Sequence, residues 1–305
     1  MTLRVHPEVA AALAAGHPVV ALETTLICHG IPRPRNRALA CALEAEVRAG
    51  GAVPATIAVL DGELRVGLEN GELLRLADRM DVMKASTADL ALALATGRCA
   101  ATTVASTIFA ASMAGITVMA TGGLGGVHRG AETTMDISAD LHELTRSPVA
   151  VVCSGAKSIL DLPRTVEALE TRGVTLVGLD TDELPAFYSR RSGLRVARIA
   201  GIDGAAAVVR QQAELGWPSA VVVAVPPPDD LALAPDAMER LVAAALADAR
   251  AAGISGKDET PFVLAHMARA TQGRTTDLNA ALVLRNAAVA AALAGLLATA
   301  PHSRR

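Results

Sequence analysis

The sequence predicts an α/β layered protein with a mostly parallel central sheet. Three observations carry this reading. Short apolar, β-rich runs alternate with Ala-rich helical stretches along the chain. The run 149–153 is continuously apolar, as in a parallel strand buried on both faces. Of the 305 residues, 51% are hydrophobic and only 19% charged, so the chain buries ample apolar surface.

The elements follow in order. Val19–Leu22 reads as a strand and 23–35 as a polar loop. A helix over 36–49 is closed by Gly50-Gly51. Residues 54–60 and Glu63–Val66 form a hairpin, because Asp61-Gly62 between β-rich runs is a strong turn signal. Lys84 follows Val82-Met83 at a strand end. Residues 87–96 are helical, capped by Ser86 or Thr87. A helix over 101–114 leads to a strand at 116–120, and 138–144 is a short helix. After the strand 149–153 come a helix at 162–172, the strand Thr175–Leu179, a helix at 205–215, a strand at 220–225 and a helix at 235–252. The one linker-like stretch, Pro226-Pro227-Pro228, has ordinary loop length, so residues 1–305 read as one domain with a frayed tail beyond Ala300.

Composition excludes several roles. Aromatic residues make up 2% of the chain, which leaves almost no platform for stacking nucleic-acid bases. A formal net charge of −3 gives no basic footprint either, so no nucleic-acid partner is expected. Cys28, Cys41, Cys99 and Cys153 fit neither a zinc ribbon nor a disulfide scaffold and read as reduced, mostly buried thiols of a cytosolic protein. The first apolar run is broken by Gly16, His17 and Pro18, unlike a signal peptide. The stretch 99–127 lacks charge, but its Thr, Ser and Gly residues suit a buried helix followed by a buried strand better than a membrane span, and the run 287–300 is too short to span.

In open α/β sheets ligands sit at the carboxyl ends of strands, and four such places carry polar residues. Glu23, directly after a strand, is placed for proton transfer or for capping a turn. Lys84, before a capped helix, either holds an anion or snorkels to solvent. The stretch 122–130 (GGLGGVHRG) lets backbone approach a ligand closely; it matches no Walker motif, and His128 and Arg129 tilt it towards a phosphate or sugar. Beyond it, Asp136 and Asp140 share a face if helical and suit a hard cation such as Mg²⁺ or Mn²⁺, or else stabilise a helix N-terminus. Lys157, among small and apolar residues, is a carbonyl nucleophile if buried and a surface lysine if not.

Read together, the stretches 21–32 (ALETTLICHGIP), 53–68 (VPATIAVLDGELRVGL), 84–90, 102–107, 120–141 (ATGGLGGVHRGAETTMDISADL), 148–164 (PVAVVCSGAKSILDLPR), 181–187 and 256–264 (GKDETPFVL) resemble the pseudouridine-5′-phosphate glycosidase family, also called indigoidine synthase A-like. The resemblance spans residues 18–286. It implies reversible cleavage of the C1′–C5 bond of pseudouridine 5′-phosphate to uracil and ribose 5-phosphate by a glycosidase of lyase type. It implies Lys157 as the residue forming an iminium with the opened sugar, Glu23 as acid/base, and Asp136 as ligand of Mn²⁺, with Mg²⁺ or another divalent cation as substitutes. Substrate contacts map onto Lys84, Val104, Ser138, Ala139 and Asp140, with His128 and Asn279 lining the pocket. The resemblance also implies an α/β/α sandwich assembled as a homotrimer, and the cysteine usage places it in the cytoplasm. The chain departs from the family pattern at Val225-Pro226 (Asn-Pro) and at Leu284-Arg285-Asn286 (Lys-Asn-Asn), which leaves phosphate or subunit contacts there open. Two other readings remain: a sugar-phosphate aldolase or a C-glycosidase for another base, and a non-catalytic binding protein, which would predict loss of Lys157 or Glu23.

Overall fold

The computed structural model describes residues 3–254, 256 and 259–298. The expected frayed tail lies outside them. The strands are β1 (Leu3–Val5), β2 (Val19–Leu22), β3 (Val53–Leu60), β4 (Glu63–Val66), β5 (Met83–Ala85), β6 (Ala100–Thr102), β7 (Val118–Ala120), β8 (Ala150–Cys153), β9 (Thr175–Leu179), β10 (Ala197–Ile199) and β11 (Val221–Ala224). The helices are α1 (Pro7–Ala14), α2 (Arg35–Ala49), α3 (Asn70–Asp78), α4 (Thr87–Ala95), α5 (Val104–Ala114), α6 (Ala131–Thr134), α7 (Ala139–Glu143), α8 (Leu162–Thr171), α9 (Gly201–Glu214), α10 (Pro235–Ala251), α11 (Glu259–Ala270) and α12 (Arg274–Ala298).

The larger part of the sheet is parallel, in the order β3-β2-β7-β8-β11-β9-β10. Strand β3 is long enough to serve two partners. Its first half pairs with β2, and its second half pairs antiparallel with β4 and β6. The predicted hairpin is present, with Asp61 and Gly62 both at positive φ (52° and 75°), as a two-residue turn of this twist requires. Side chains alternate across the strands. Val20, Leu22, Val118, Ala120, Val152 and Val223 join the core shared with α2, α10 and α12, while Val19, Ala21, Met119, Val151 and Val222 join the core shared with α1, α4 and α5. The central strands β2, β7, β8 and β11 are thus apolar on both faces, which explains the continuous runs in the sequence.

Several expectations are corrected. The helix expected from residue 101 begins only at Val104, because Ala100–Thr102 form β6 between β3 and β5. Alanine favours helix intrinsically, but ladder pairing and the Thr102 hydroxyl on the Ile57 carbonyl (2.7 Å) override a preference of under about 1 kcal/mol per residue. The polar loop after β2 contains a π-helical turn, Leu26–Gly30, over buried Ile27 and Cys28. Lys84 lies inside β5, not past its end. The run 287–300 belongs to the 25-residue α12, which by length and composition is long enough to cross a membrane. Yet its Leu278, Leu282, Val283, Ala287, Ala290 and Ala291 are buried, and it packs on α2, α9, β2, β7 and β8, as a core helix does.

The topology sets the site. The chain leaves β2 through α2 to β3 on one flank and returns to β7 on the other. Connections from the carboxyl ends of β2 and β7 therefore diverge, and a crevice opens between them.

Candidate active site

A cavity of about 310 Å³ occupies this crevice. Glu23, the first residue after β2, lines it and is only 8% exposed. Thr121, the first residue after β7, donates its hydroxyl hydrogen to Glu23 Oε1. Burial lifts the Glu23 carboxyl above its ordinary value of 4.5. Lys157, the Thr121 hydrogen bond and Lys84 work against that rise, and Asp140 adds to it. The proton is thus held more firmly than on a surface glutamate.

The glycine loop and the Gly-Ala-Lys-Ser stretch form a small parallel pairing beyond β7 and β8. Leu124 N–H donates to the Gly155 carbonyl and Lys157 N–H to the Leu124 carbonyl, both at 3.0 Å. This pairing aims Lys157 at the cavity. Its side chain is half-buried, between the two settings the sequence left open, and makes no hydrogen bond or ion pair among the described residues. Gly155 is required here: its φ is +82°, and a Cβ would collide with the Pro185 carbonyl oxygen. Gly155→Ala is expected to lower stability by at least about 2 kcal/mol, read from chemical denaturation, because left-handed strain adds to overpacking.

Asp140 and Asp136 do not share a helix face. Ser138 caps α7, accepting from Asp140 N–H at 3.2 Å, so Asp136 falls outside the helix. Asp140 is 3% exposed and turns inward. Its Oδ1 accepts from Ala105 N–H and its Oδ2 from Gly125 N–H, each at 2.8 Å. The carboxylate therefore ties the glycine loop to the first turn of α5 while also lining the cavity. A Cβ on Gly125 would lie 2.7 Å from Asp140 Oδ2, so the loop's lack of a side chain permits this close approach. Asp136 faces the cavity, and among the described residues its carboxylate approaches only His128 Nδ1, at 3.8 Å. His128 Nδ1 is bonded to Glu259 Oε1 at 2.9 Å. Lys84, Val104, Ser138, Ala139 and Asn279 complete the expected set, and all line the same cavity.

All ten residues singled out as site residues thus border one cavity. Neither departure does. Val225 is buried and donates to the Cys153 carbonyl at 2.8 Å, and Arg285 is exposed on α12. Asn286 instead pins the site floor, donating from Nδ2 to the Thr121 carbonyl (2.8 Å) and to Ser154 Oγ (3.2 Å). Three contributors escaped the reading of the sequence: Thr121, Glu259, and Phe187, held at φ 61° with its ring against Gly123. Each lies in a stretch that carries the family resemblance, 120–141, 256–264 and 181–187, but none was given a role.

A doubly wound α/β sheet with a lysine and a buried carboxyl in one switch-point cavity defines an α/β enzyme acting on a small molecule. The chain belongs to the indigoidine synthase A-like family, whose family model matches residues 8–295. Among similar proteins is the pseudouridine-5′-phosphate glycosidase of Herpetosiphon aurantiacus, 55% identical over 94% of this chain and 95% of the relative. The enzyme of that name from Methylobacterium nodulans is 52% identical over 97% of this chain and 88% of the relative. A crystal structure of the prealnumycin C-glycosynthase AlnA in complex with ribulose 5-phosphate superposes with a TM-score of 0.90 at 39% identity, covering 98% of this chain and 97% of the other. An indigoidine synthase A-like protein of Thermotoga maritima gives 0.89 at 35% identity, covering 98% and 97%.

Proposed function

We propose that this protein cleaves the C1′–C5 bond of pseudouridine 5′-phosphate, with water, to uracil and ribose 5-phosphate. The observation that carries the proposal is the convergence of Lys157, from the loop after β8, and Glu23, from the end of β2, on one cavity. Relatives at 52–55% identity bearing that activity in their names support the substrate.

The chemistry explains why a lysine is needed. A C-glycoside has no heteroatom lone pair on its leaving atom, so carboxyl protonation alone cannot release the base, unlike in ordinary glycosides. In our reading the Lys157 amine, neutral when it attacks, bonds to C1′ as the C1′–O4′ bond opens, and the proton the nitrogen then sheds passes to O4′, which leaves the nitrogen with its lone pair. Glu23 protonates C5 of the base. The nitrogen lone pair then forms the C1′=N iminium, and the C1′–C5 pair returns to the ring, freeing uracil. Water hydrolyses the iminium to the sugar aldehyde and restores the amine. The raised carboxyl of Glu23 suits it to hold the proton that C5 receives.

Asp136 fits a hard divalent cation held by one carboxylate. Among the described residues its oxygens accept no hydrogen bond, and no cluster of three or more His, Cys, Asp or Glu gathers there to form a closed cage. A Mn²⁺ or Mg²⁺ ion so held would keep most of its ligands as water and would supply charge for a phosphate or sugar hydroxyl. Asp136→Ala is expected to lose Mn²⁺-dependent activity and Mn²⁺ binding by electron paramagnetic resonance, with its circular dichroism unchanged. Full activity of that variant in chelator would remove the role.

We further propose a cytoplasmic homotrimer, to be checked by light scattering. The decisive assay for the function is release of uracil and ribose 5-phosphate, with and without Mn²⁺. Turnover of other sugar phosphates in place of pseudouridine 5′-phosphate would favour an aldolase instead.

A further inference from the structure

Glu23 has two carboxyl oxygens, and the fold treats them differently. Oε1 accepts the Thr121 hydroxyl. Oε2 has no hydrogen-bond partner among the described residues, on a side chain that lines the cavity. Thr121 itself is fully buried and does not border the cavity. Its backbone is fixed at both ends: its N–H donates to the Val152 carbonyl at 3.0 Å, and its carbonyl accepts from Asn286 Nδ2 at 2.8 Å. Asn286 is also fully buried and reaches Ser154 Oγ at the end of β8. The hydroxyl is therefore held by a chain of bonds running from α12 through β7 to Glu23.

We propose that Thr121, anchored by Asn286, is a positioning residue for the reaction, occupying Glu23 Oε1 as acceptor so that Oε2 carries the transferable proton into the cavity. The Thr121 hydroxyl has no other acceptor among the described residues, so a proton on Oε1 would force it to accept and leave its buried hydrogen unpaired; the bond therefore directs the carboxyl proton to Oε2. The same bond favours the ionised carboxylate, because its acceptor is stronger when charged. Among the described residues the charged groups that face Glu23 are Lys157, Lys84 and Asp140, and none of them is altered by a change at residue 121. The inference rests on Glu23 as the acid of the proposed reaction.

The test uses Thr121→Val, which keeps shape and removes the hydroxyl, and Thr121→Ser, which restores it. For uracil release, Thr121→Val is expected to lower kcat at least ~10-fold, with KM within about twofold, since acid–base help as a whole is typically worth ~10²–10⁴-fold. The alkaline limb of its kcat–pH profile moves to higher pH, and Thr121→Ser returns both features towards the parent. In parallel, the Glu23 carboxyl stretch, assigned by its loss in Glu23→Gln, is titrated by infrared difference spectroscopy without substrate. Its midpoint rises in Thr121→Val. An unmoved limb and an unmoved midpoint overturn the inference, as does a kcat loss that serine does not rescue. Should the parent enzyme release no uracil, the proposed function fails, and the infrared titration still decides whether Thr121 sets the state of Glu23.

Discussion

Lys157→Arg is expected to abolish uracil release, with turnover down at least ~10⁴-fold, on the scale seen when a catalytic nucleophile is removed. The guanidinium keeps the positive charge and much of the length but offers no free amine, because it does not deprotonate in proteins. Charge near Glu23 is thus preserved while the C1′–N bond is forbidden. Borohydride reduction in the presence of ribose 5-phosphate should add one sugar phosphate to the parent protein and none to the variant. Peptide mass mapping should place the label on Lys157. The local structure favours this outcome: the ammonium has no partner among the described residues that must be broken, and the paired loops at Leu124 and Ala156 fix its backbone. A label on Lys84, which lines the same cavity, would reassign the nucleophile.

What the sequence disclosed and what it hid divide along a physical line. Strands apolar on both faces, such as 149–153, are legible because local composition alone reveals them. The polar residues at their carboxyl ends, Glu23 and Lys157, are legible for the same reason, and the family resemblance gave them roles. Strand β6 was not, since Ala100–Thr102 is extended only through pairing with β3 and β5, which local propensity cannot see. The short helix expected at 138–144 is present, and the condition under which Asp136 and Asp140 would share a helix face is not met, because Ser138, between them, caps α7. The second role of Asp140, as a tie between Gly125 and Ala105, needs a loop and a helix end brought together by the fold. Thr121 is the clearest case. Its bond to Glu23 joins residues 98 apart and exists because β2 and β7 are neighbours in the sheet, a fact of topology rather than of either segment.

Glu23→Gln is expected to bind pseudouridine 5′-phosphate nearly normally and to turn it over at least ~10²-fold more slowly, since the amide keeps shape and acceptor but cannot deliver a proton. Some Lys157 adduct with free ribose 5-phosphate should persist, because an open-chain aldehyde needs less assistance than a closed C-glycoside. Stability supplies an independent check. Burial raises the Glu23 carboxyl above 4.5, so between that pH and the raised value the native state holds a proton that the unfolded chain has lost. Stability drawn from this group is therefore present at low pH and declines as pH rises through that window. Glutamine never ionises and escapes the decline. The variant should accordingly melt at or above the parent temperature near neutral pH, with the difference closing as pH falls towards 4.5. Slower catalysis in a protein no less stable is the pattern of a group held in place for its proton. Near-native turnover with lost affinity would instead make Glu23 a substrate anchor and move the proton to another donor, such as His128, whose Nδ1 is already engaged by Glu259.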